Sequence, residues 1–349
     1  MRLTDLTQHA GQWLRGAGPD SEIVISSRVR LARNVAGEPF LTRCDDSQRR
    51  RIAERLHEAV EQAAIANEML YVDVEAASDL DRQLLVERHL ISRQHAQGSG
   101  ARAVVVTGDE TAAVMINEED HLRVQVLRSG LQLADSYEQI DRVDDALAQR
   151  VHFAFSGRFG YLTACPTNVG TGIRVSVMLH LPALKMSGQI EKVFQAASDM
   201  RLAIRGLYGE GTEAMGDLFQ ISNQTTLGQS EREIISEFND RIVPGIIEFE
   251  REARRSLLAT HGDAMEDKAF RSLSLLRSAR LMSSEETMGL LSQVRLGIHL
   301  GRVQDITLQT VNELLQLTQP AHLQQIHGRA MDAAERARVR AEFIRQRLN

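Results

Sequence analysis

Several short segments in the first two thirds of the sequence alternate between hydrophobic and polar residues. In residues 22–31, Ile25 and Val29 share one face, whereas Arg28 and Arg30 share the other. A period of two is typical of a β-strand with one buried face. The same alternation predicts a strand at residues 173–179 and another that begins at His121, and two short strands at residues 103–107 and 112–117 are predicted as a hairpin around the turn at residues 108–110.

Helical spacing separates these strands. Residues 46–67 carry apolar side chains three and four apart and follow a predicted cap at Asp45 or Asp46. Residues 191–205 are also predicted to be helical. Strands and helices therefore alternate in this part of the chain.

The last third has only helical patterns. Ser230 and Glu233 form a capping box that opens a long helical region, which Pro244 should kink or split. Two further capping boxes precede leucine-bearing amphipathic runs, and Pro320 closes the second run. These boxes are Ser283 with Glu286 and Thr310 with Glu313.

These patterns predict an α+β fold followed by an all-α C-terminal domain. We expect a frayed lead-in over residues 1–20, a catalytic domain over residues 21–258 and a helical domain over residues 259–349. No low-complexity linker separates the two domains, so we expect them to pack directly against each other.

Composition narrows the function classes. The 349 residues are 43% hydrophobic with a net charge of -6, which argues against a general nucleic-acid binder. No apolar run is long enough to span a bilayer, and residues 1–10 lack a signal-peptide core. Cys44 and Cys165 are too few for a disulfide framework or a cysteine-rich metal site. We expect a cytoplasmic protein.

The common phosphate-binding signatures are absent from the sequence, so a different phosphate cradle is needed. Arg28 and Arg30 lie two apart on a predicted strand, which places their side chains roughly 7 Å apart on one face. That spacing suits adjacent phosphates, although a solvated or salt-bridged pair is the commoner meaning of this pattern.

The segment Asn117-Glu-Glu-Asp-His-Leu-Arg123 concentrates three carboxylates at a turn between strands. It could be no more than a polar hairpin tip. Adjacent acids repel one another, however, so the run favours a cationic group nearby, either a guanidinium or a metal-bound nucleotide.

Two glycine-containing loops complete the candidate chemistry. The first, residues 165–174, brings backbone amides, hydroxyls, Cys165 and Arg174 together, although a buried, inert cysteine is the commoner case. The second, residues 205–213, carries three glycines around two acids, which is typical either of a loop that closes over substrate or of an inert surface turn.

Together these motifs resemble the phosphagen (ATP:guanido) kinase family, in order, across about residues 22–254. The resemblance implies an antiparallel sheet flanked by helices, with Mg-ATP held largely by arginines. It implies catalytic roles for Glu119, Glu118, Glu210, Glu213 and Cys165. The implied ATP-binding residues are Ser26, Ser27, Arg28, Val29, Arg30, His89, Arg123, Arg174, Val175, Ser176, Val177, Met178, Arg205, Gly206, Leu207, Tyr208, Gly209 and Glu210.

Within this family the sequence is most similar to the bacterial branch that phosphorylates arginine side chains of proteins. Tyr208 stands where kinases of free guanidines carry arginine, and the strand at residues 22–31 lies near the start of the sequence, so we expect no helical small-substrate domain ahead of it. The branch carries a C-terminal phosphoarginine pocket. The aligned residues here are Arg336, Ala337, Arg340 and Ala341, with Ala337 replacing an aspartate.

The resemblance implies ATP as the phosphoryl donor, protein substrates with exposed arginines, allosteric control, and a role in stress response and protein quality control. It also implies a homodimer, an activator protein and degradation machinery as partners, and no nucleic acid or membrane. Two alternatives stay open: a kinase of free arginine or another small guanidine, and a phosphoarginine-binding adaptor.

The expected mechanism rests on carboxylates. A guanidinium is a poor nucleophile because it is protonated at neutral pH. Glu119 would orient the attacking nitrogen and accept its proton, while a glutamate of the second loop holds another nitrogen. The sequence shows no protein ligand for Mg²⁺, which we expect to be held through phosphates and water.

Overall fold

A computed structural model describes residues 3–207 and 214–349, and its centre is an antiparallel sheet of eight strands. The strand order is β2-β3-β4-β5-β1-β8-β10-β9, and β6 with β7 forms a separate small hairpin. The strands are β1 Val24–Arg33, β2 Met69–Asp73, β3 Ala103–Thr107, β4 Ala112–Ile116, β5 Leu122–Ser129, β6 Phe155–Ser156, β7 Gly160–Tyr161, β8 Ile173–His180, β9 Leu202–Gly206 and β10 Leu218–Asn223.

Helices flank this sheet and then continue alone to the C-terminal end of the sequence, which confirms the predicted α+β arrangement. The helices are α1 Asp46–Ala63, α2 Asp79–Glu87, α3 Arg93–Gln97, α4 Leu133–Ala148, α5 Pro182–Met186, α6 Ile190–Asp199, α7 Glu231–Glu237, α8 Val243–Ser278, α9 Ser284–His299, α10 Leu308–Leu317, α11 Pro320–Ile326 and α12 Ala333–Leu348. Within the described residues, no helix is long and apolar enough to cross a membrane.

The central strands have one face buried against helices. Val29 and Leu31 of β1 lie in the same core cluster as Ile52 and Leu56 of α1 and Ile140 of α4. Because side chains alternate along a strand, Arg28 and Arg30 point to the opposite face. The part of this second face that carries the arginines is therefore available for a polar site, whereas Leu127 and Met178, further along the same face, pack with residues of the C-terminal helices.

The start of β1 departs from the predicted alternation. The pairing with β8 shifts register between Val24 and Ser26, so one extra residue bulges out of the ladder. A bulge reverses the alternation on one side of it. Ile25, which was predicted to share a face with Val29, therefore packs with Met178, while Val24 joins the cluster that holds Val29.

The lead-in was expected to be frayed, and this expectation is wrong. It forms two 3-10 turns, Leu3–Gln8 and Gln12–Leu14, and Trp13 and Leu14 are buried. These side chains pack with residues of α8, α9 and α10, which lie far away in the sequence. A local pattern could not show this partner, because the covering surface comes from the other end of the chain.

Two helix predictions also need correction. The helix predicted over residues 191–205 ends at Asp199, and the chain then turns at Arg201, with a positive φ of 55°, into β9. Strand β9 pairs with β10, so tertiary pairing overrides the local preference. In the last capping box, Thr307 rather than Thr310 is the N-cap, because its side chain accepts from the Thr310 amide.

The proposed domain boundary lies within a single long helix. Helix α8 continues past residue 258, and only His261 departs from helical geometry, with φ -138° and ψ 31°. Pro244 occupies the first turn of this helix, directly after a π-helical segment at Phe238–Ile242. The division at residues 258 and 259 stays a prediction.

Candidate active site

Five arginines from four strands lie on the face of the sheet opposite the core formed with α1 and α4. Arg30 on β1 is directly opposite Arg174 on β8, and Arg123 on β5 is opposite Ala32 of β1. Arg205 on β9 is opposite Gln220 of β10, whose side chain accepts a hydrogen bond from Arg28. The sheet thus brings together all five arginines that the sequence predicted for phosphate binding.

These arginines depress one another's pKa values. Burial, and then Arg123, Arg174 and Arg205, lower the pKa of Arg28 to about 10. Burial and neighbouring guanidinium groups also hold the pKa of Arg30 well below its usual range. Burying like charges together is costly unless an anion neutralises them. The face is therefore built to receive a polyanion.

The hydrogen bonds of these arginines leave room for such an anion. Arg28 Nε donates to Ser176 Oγ at 3.3 Å, and Arg174 Nη2 donates to Ser222 Oγ at 3.1 Å. Arg30 Nε is buried and makes no hydrogen bond within the described residues. Neutral or missing partners leave charge and donors available for phosphate oxygens.

Among the three consecutive acids, Glu118 is fully engaged. Its carboxylate accepts from Arg123 Nη1 at 2.6 Å, from Ser92 Oγ and from the Glu119 amide at 2.9 Å. Burial acts to raise the pKa of Glu118, but Arg123 and the hydrogen bonds outweigh it and hold that pKa at about 2. Glu118 is a permanent anion that fixes Arg123.

Asp120 has a structural role in the same turn. Its Oδ1 accepts from Asn34 Nδ2 and from the Ala164 amide, both at 2.6 Å. Asp120 therefore joins the turn before β5 to the loop that carries Cys165. Burial raises the pKa of this carboxyl group.

Glu119 differs from both neighbours. No hydrogen bond to its carboxylate is made within residues 3–207 and 214–349, and it lines a pocket with Arg30, Arg123 and Arg174. Burial, then Asp120 and Glu118, raise the pKa of Glu119 above its usual 4.5, against the pull of nearby arginines. A carboxylate with a raised pKa and no partner is a candidate proton acceptor.

A second pocket adjoins the first along β1. Its polar end is formed by Arg28, Ser26, Ser176 and Gln220. Its other walls are formed by His89 and by apolar and aromatic side chains. Arg28 lines this pocket and Arg30 lines the first, so the two pockets are neighbours along β1. Four other residues of these strands were predicted to bind ATP but lie elsewhere. The side chains of Val29, Val175 and Val177 point into the helix-covered core. The Ser27 hydroxyl donates to the Gly130 carbonyl.

His89 lies in this second pocket with a positive φ of 59°. Gln125 Nε2 donates to the His89 carbonyl at 2.7 Å and fixes the backbone. Burial, and then Arg28, lower the pKa of His89 to about 3, so the ring is neutral at physiological pH. Its ring meets Trp13 edge to face, with ring centres 4.6 Å apart.

Trp13 is one of the pocket residues that the sequence did not predict, together with Leu127 and Gln220. It lines the pocket beside His89, Leu127 and Met178. Its segment was assigned to a frayed lead-in because the surrounding residues show no regular periodicity. The one available signal was that the only tryptophan of the chain lies in an otherwise polar stretch.

Cys165 lies at the edge of the site rather than in either pocket. Its Sγ is 3.0 Å from Thr167 Oγ1, and its side chain is partly exposed. Gly206 is the last residue of β9, and Leu207, which follows it, is buried among apolar side chains. Tyr208, Gly209, Glu210 and Glu213, which were also predicted to act here, lie outside the described residues.

The C-terminal residues predicted to bind phosphoarginine lie on α12. Arg340 is buried and donates to the carbonyls of Thr318 and Met282 at 2.8 and 2.9 Å, while Arg336 Nη1 donates to Met331 O at 2.6 Å. The Ala337 carbonyl accepts from the Met282 amide, and Ala341 is buried in the helical core. These contacts tie α12 to its neighbours, and a phosphoarginine pocket stays a prediction.

The fold and the site define a class of protein. An arginine-lined antiparallel sheet, with a glutamate beside it that makes no side-chain hydrogen bond to the described residues, suits phosphoryl transfer to a basic nitrogen. Residues 51–253 match the ATP:guanido phosphotransferase C-terminal catalytic domain, and residues 262–349 match the protein-arginine kinase McsB C-terminal domain. The chain therefore belongs to the ATP:guanido phosphotransferase family.

Relatives that match along nearly the whole chain are protein-arginine kinases. The chain is 48% identical to a protein-arginine kinase of Symbiobacterium thermophilum, over 97% of this chain and 96% of that one. It is 43% identical to a protein-arginine kinase of Halothermothrix orenii over 100% of both chains.

Solved structures share the catalytic fold. Lombricine kinase is 27% identical, with a TM-score of 0.59, over 69% of this chain and 71% of that one. The duplicated taurocyamine kinase of Schistosoma mansoni, with bound transition-state-analogue components, is 27% identical with a TM-score of 0.60. That match covers 72% of this chain but only 35% of the duplicated kinase.

Proposed function

We propose that this protein is an ATP-dependent protein-arginine kinase, which transfers the γ-phosphoryl group of ATP to arginine side chains of other proteins. The observation that carries the proposal is the position of Glu119. Its carboxylate has a raised pKa, accepts no hydrogen bond from the described residues, and lines the pocket that Arg30, Arg123 and Arg174 share. A proton acceptor thus lies beside an anion cradle.

The chemistry follows from this pairing. A guanidinium nitrogen of the substrate attacks the γ-phosphorus, a nitrogen–phosphorus bond forms, and the bond from phosphorus to the bridging oxygen of ADP breaks. Glu119 orients the nitrogen and takes its proton. The arginines balance charge on the transferring group, which is the main source of catalysis in phosphoryl transfer. Roles for Glu210 or Glu213 in holding a second nitrogen stay predictions.

The arginines of the site suit the phosphates of ATP. Within the described residues no cluster of three His, Cys, Asp or Glu side chains could hold a metal ion. Glu118 is held by Arg123, and Asp120 by Asn34 and the Ala164 amide, so neither offers an uncommitted carboxylate. We propose that Mg²⁺ arrives with ATP, bound through phosphates and water, and shields the negative charge of the phosphates.

The proposed acceptor is an arginine within a protein rather than free arginine, because the full-length relatives are protein-arginine kinases and the helical C-terminal domain matches theirs. We further propose cytoplasmic substrates with exposed arginines, a homodimeric assembly, an activator protein and delivery of marked proteins to degradation machinery. Each of these needs its own test.

An assay with matched acceptors tests the acceptor class. The enzyme is incubated with Mg-ATP and an unfolded arginine-rich protein, with the same protein carrying lysine at every arginine, or with free arginine. We expect acid-labile phosphoarginine, mapped by mass spectrometry, in the first mixture alone. Rapid ATP consumption with free arginine would identify a small-guanidine kinase, and binding of phosphoarginine without turnover would identify an adaptor.

A further inference from the structure

The pocket that contains Arg28 has an apolar wall in addition to its charged end. Trp13, Leu127 and Met178 line it together with the neutral ring of His89. Arg28 closes the polar end that leads to the phosphate-binding face. An apolar and aromatic wall next to a cationic end matches the shape of a purine nucleotide, with its flat base and its charged phosphates.

Trp13 reaches this wall from the lead-in, and the helical C-terminal domain holds it there. Gln316 Oε1 on α10 accepts from the Gly11 amide at 2.7 Å, and Asn312 Nδ2 donates to the Leu14 carbonyl at 2.9 Å. A side chain at Gly11 would lie only 2.9 Å from the indole ring. The turn that carries Trp13 is thus clamped from both ends by one helix.

The same domain also holds the segment that carries His89. Glu87 accepts from the Ala321 and His322 amides at the start of α11, at 2.9 and 3.1 Å, and from His322 Nδ1 at 2.9 Å. Arg88 pairs with Glu110 at 2.6 Å and lies 3.2 Å from His322 Nε2. These groups are buried, so breaking one contact leaves a buried polar group unpaired.

From this arrangement we propose that Trp13 binds the purine base of the nucleotide and that Gln316 is a positioning residue that sets the base-binding wall. The indole Nε1 is buried and has no hydrogen-bond partner within the described residues. The helical domain therefore supports the nucleotide site by holding the segments that line it, although its own residues lie outside both pockets. This inference rests on the proposed function for its ligand, ATP.

The single tryptophan provides a direct test in the unmodified protein. Titration with Mg-ADP should change the Trp13 fluorescence with the same Kd that calorimetry gives for Mg-ADP. Inorganic triphosphate fills the phosphate end alone, so it should bind without that change. Calorimetric saturation by Mg-ADP with unchanged fluorescence would overturn the base contact, as would an equal change with triphosphate.

Two substitutions on α10 test the positioning role. Gln316→Leu removes the acceptor for the Gly11 amide, and we expect the KM for ATP to rise about tenfold with little change in kcat. Gln309→Ala alters an exposed side chain of the same helix and should leave KM unchanged. A general loss of structure would lower kcat as well, and thermal unfolding of each variant monitors it.

The two proposals fail in different ways. If Gln316→Leu folds normally and keeps the wild-type KM while the enzyme makes phosphoarginine, the positioning role is wrong and the kinase assignment stands. If Mg-ADP changes Trp13 fluorescence but no phosphoarginine forms on any acceptor, the kinase assignment is wrong and the base contact stands.

Discussion

Three consecutive carboxylates take three different roles because each has different neighbours. Glu118 is held by Arg123 as an anion, Asp120 is held by Asn34 and a loop amide, and Glu119 is left facing the pocket. The sequence predicted that these acids serve a cationic ligand, and it ranked Glu119 first only through the family resemblance. The hydrogen bonds supply the physical reason for that ranking.

Replacing Glu119 with glutamine should separate catalysis from binding. The amide keeps the size of the side chain but cannot accept a proton from the guanidinium. We expect Glu119→Gln to lower kcat at least about a hundredfold and to leave the Kd for Mg-ADP unchanged. Single-turnover kinetics and calorimetry measure the two quantities, and normal turnover by this variant would exclude Glu119 as the proton acceptor.

The acid limb of the pH profile should move when Asp120 is neutralised. Burial and the charges of Asp120 and Glu118 raise the pKa of Glu119, so kcat/KM should fall with decreasing pH through a value above 4.5. Asp120→Asn keeps Oδ1 for Asn34 and Ala164 and removes one negative charge. The limb should shift to lower pH. A limb that stays in place would mean that another group titrates there.

At the scale of elements, the sequence predicted the regular strands but did not predict the bulge in β1 or the strand β9. The predicted strands at residues 103–107 and 173–179 are present as β3 and β8, and the apolar residues of both strands are buried. The bulge at Ile25 depends on pairing with β8, and β9 depends on pairing with β10. Strand β8 is distant from β1 in the sequence, and the pairing of β9 with β10 is a tertiary contact, so a local pattern could not reveal either.

The loop before β8 depends on a glycine at residue 170. Gly170 has a φ of +114°, and a Cβ there would lie 2.4 Å from the Thr226 carbonyl oxygen. We expect Gly170→Ala to lower the free energy of unfolding by about 2 kcal/mol and to reduce kcat, because this loop lines the Glu119 pocket. Gly157→Ala is the matched control, since its Cβ would meet nothing within 4 Å.

Urea unfolding and initial rates test this pair of variants. Equal stability of Gly170→Ala and Gly157→Ala would show that the loop relaxes without strain, which would contradict the close approach to Thr226.

At the scale of the whole molecule, the catalytic sheet and the helical domain share buried polar contacts. Arg295 of α9 is fully buried and donates to the carbonyls of Glu22 and Ser21, and it lies 2.8 Å from His180 Nδ1. The sequence predicted direct packing of the two parts but not these contacts. The donor, Arg295, is a charged residue on a helix, and a charged residue in a helical pattern is normally expected on the solvent-exposed face.

Buried histidines should make the protein unstable in acid. Burial lowers the pKa of His89 and His299 to about 3 and also lowers the pKa of His180 and His322. In the unfolded chain these rings take up protons near 6.5. The unfolded state therefore binds more protons between about pH 6.5 and pH 3, and stability must fall as the pH falls through that window.

Urea midpoints measured at several pH values test this expectation. The free energy of unfolding should decrease steadily below about pH 6.5, and His299→Gln should make the decrease shallower because one titrating ring is gone. A pH-independent midpoint across this window would show that the rings are protonated in the folded protein.

The central claim is that the γ-phosphoryl group of ATP ends on an arginine nitrogen of another protein. Phosphorus NMR of a mixture of enzyme, Mg-ATP and an unfolded arginine-containing protein follows that bond directly. We predict a new nitrogen-bound phosphorus signal on the protein that disappears on acidification and is absent with Glu119→Gln. Loss of ATP signal to inorganic phosphate alone, or a new signal that survives acid, would contradict the assignment.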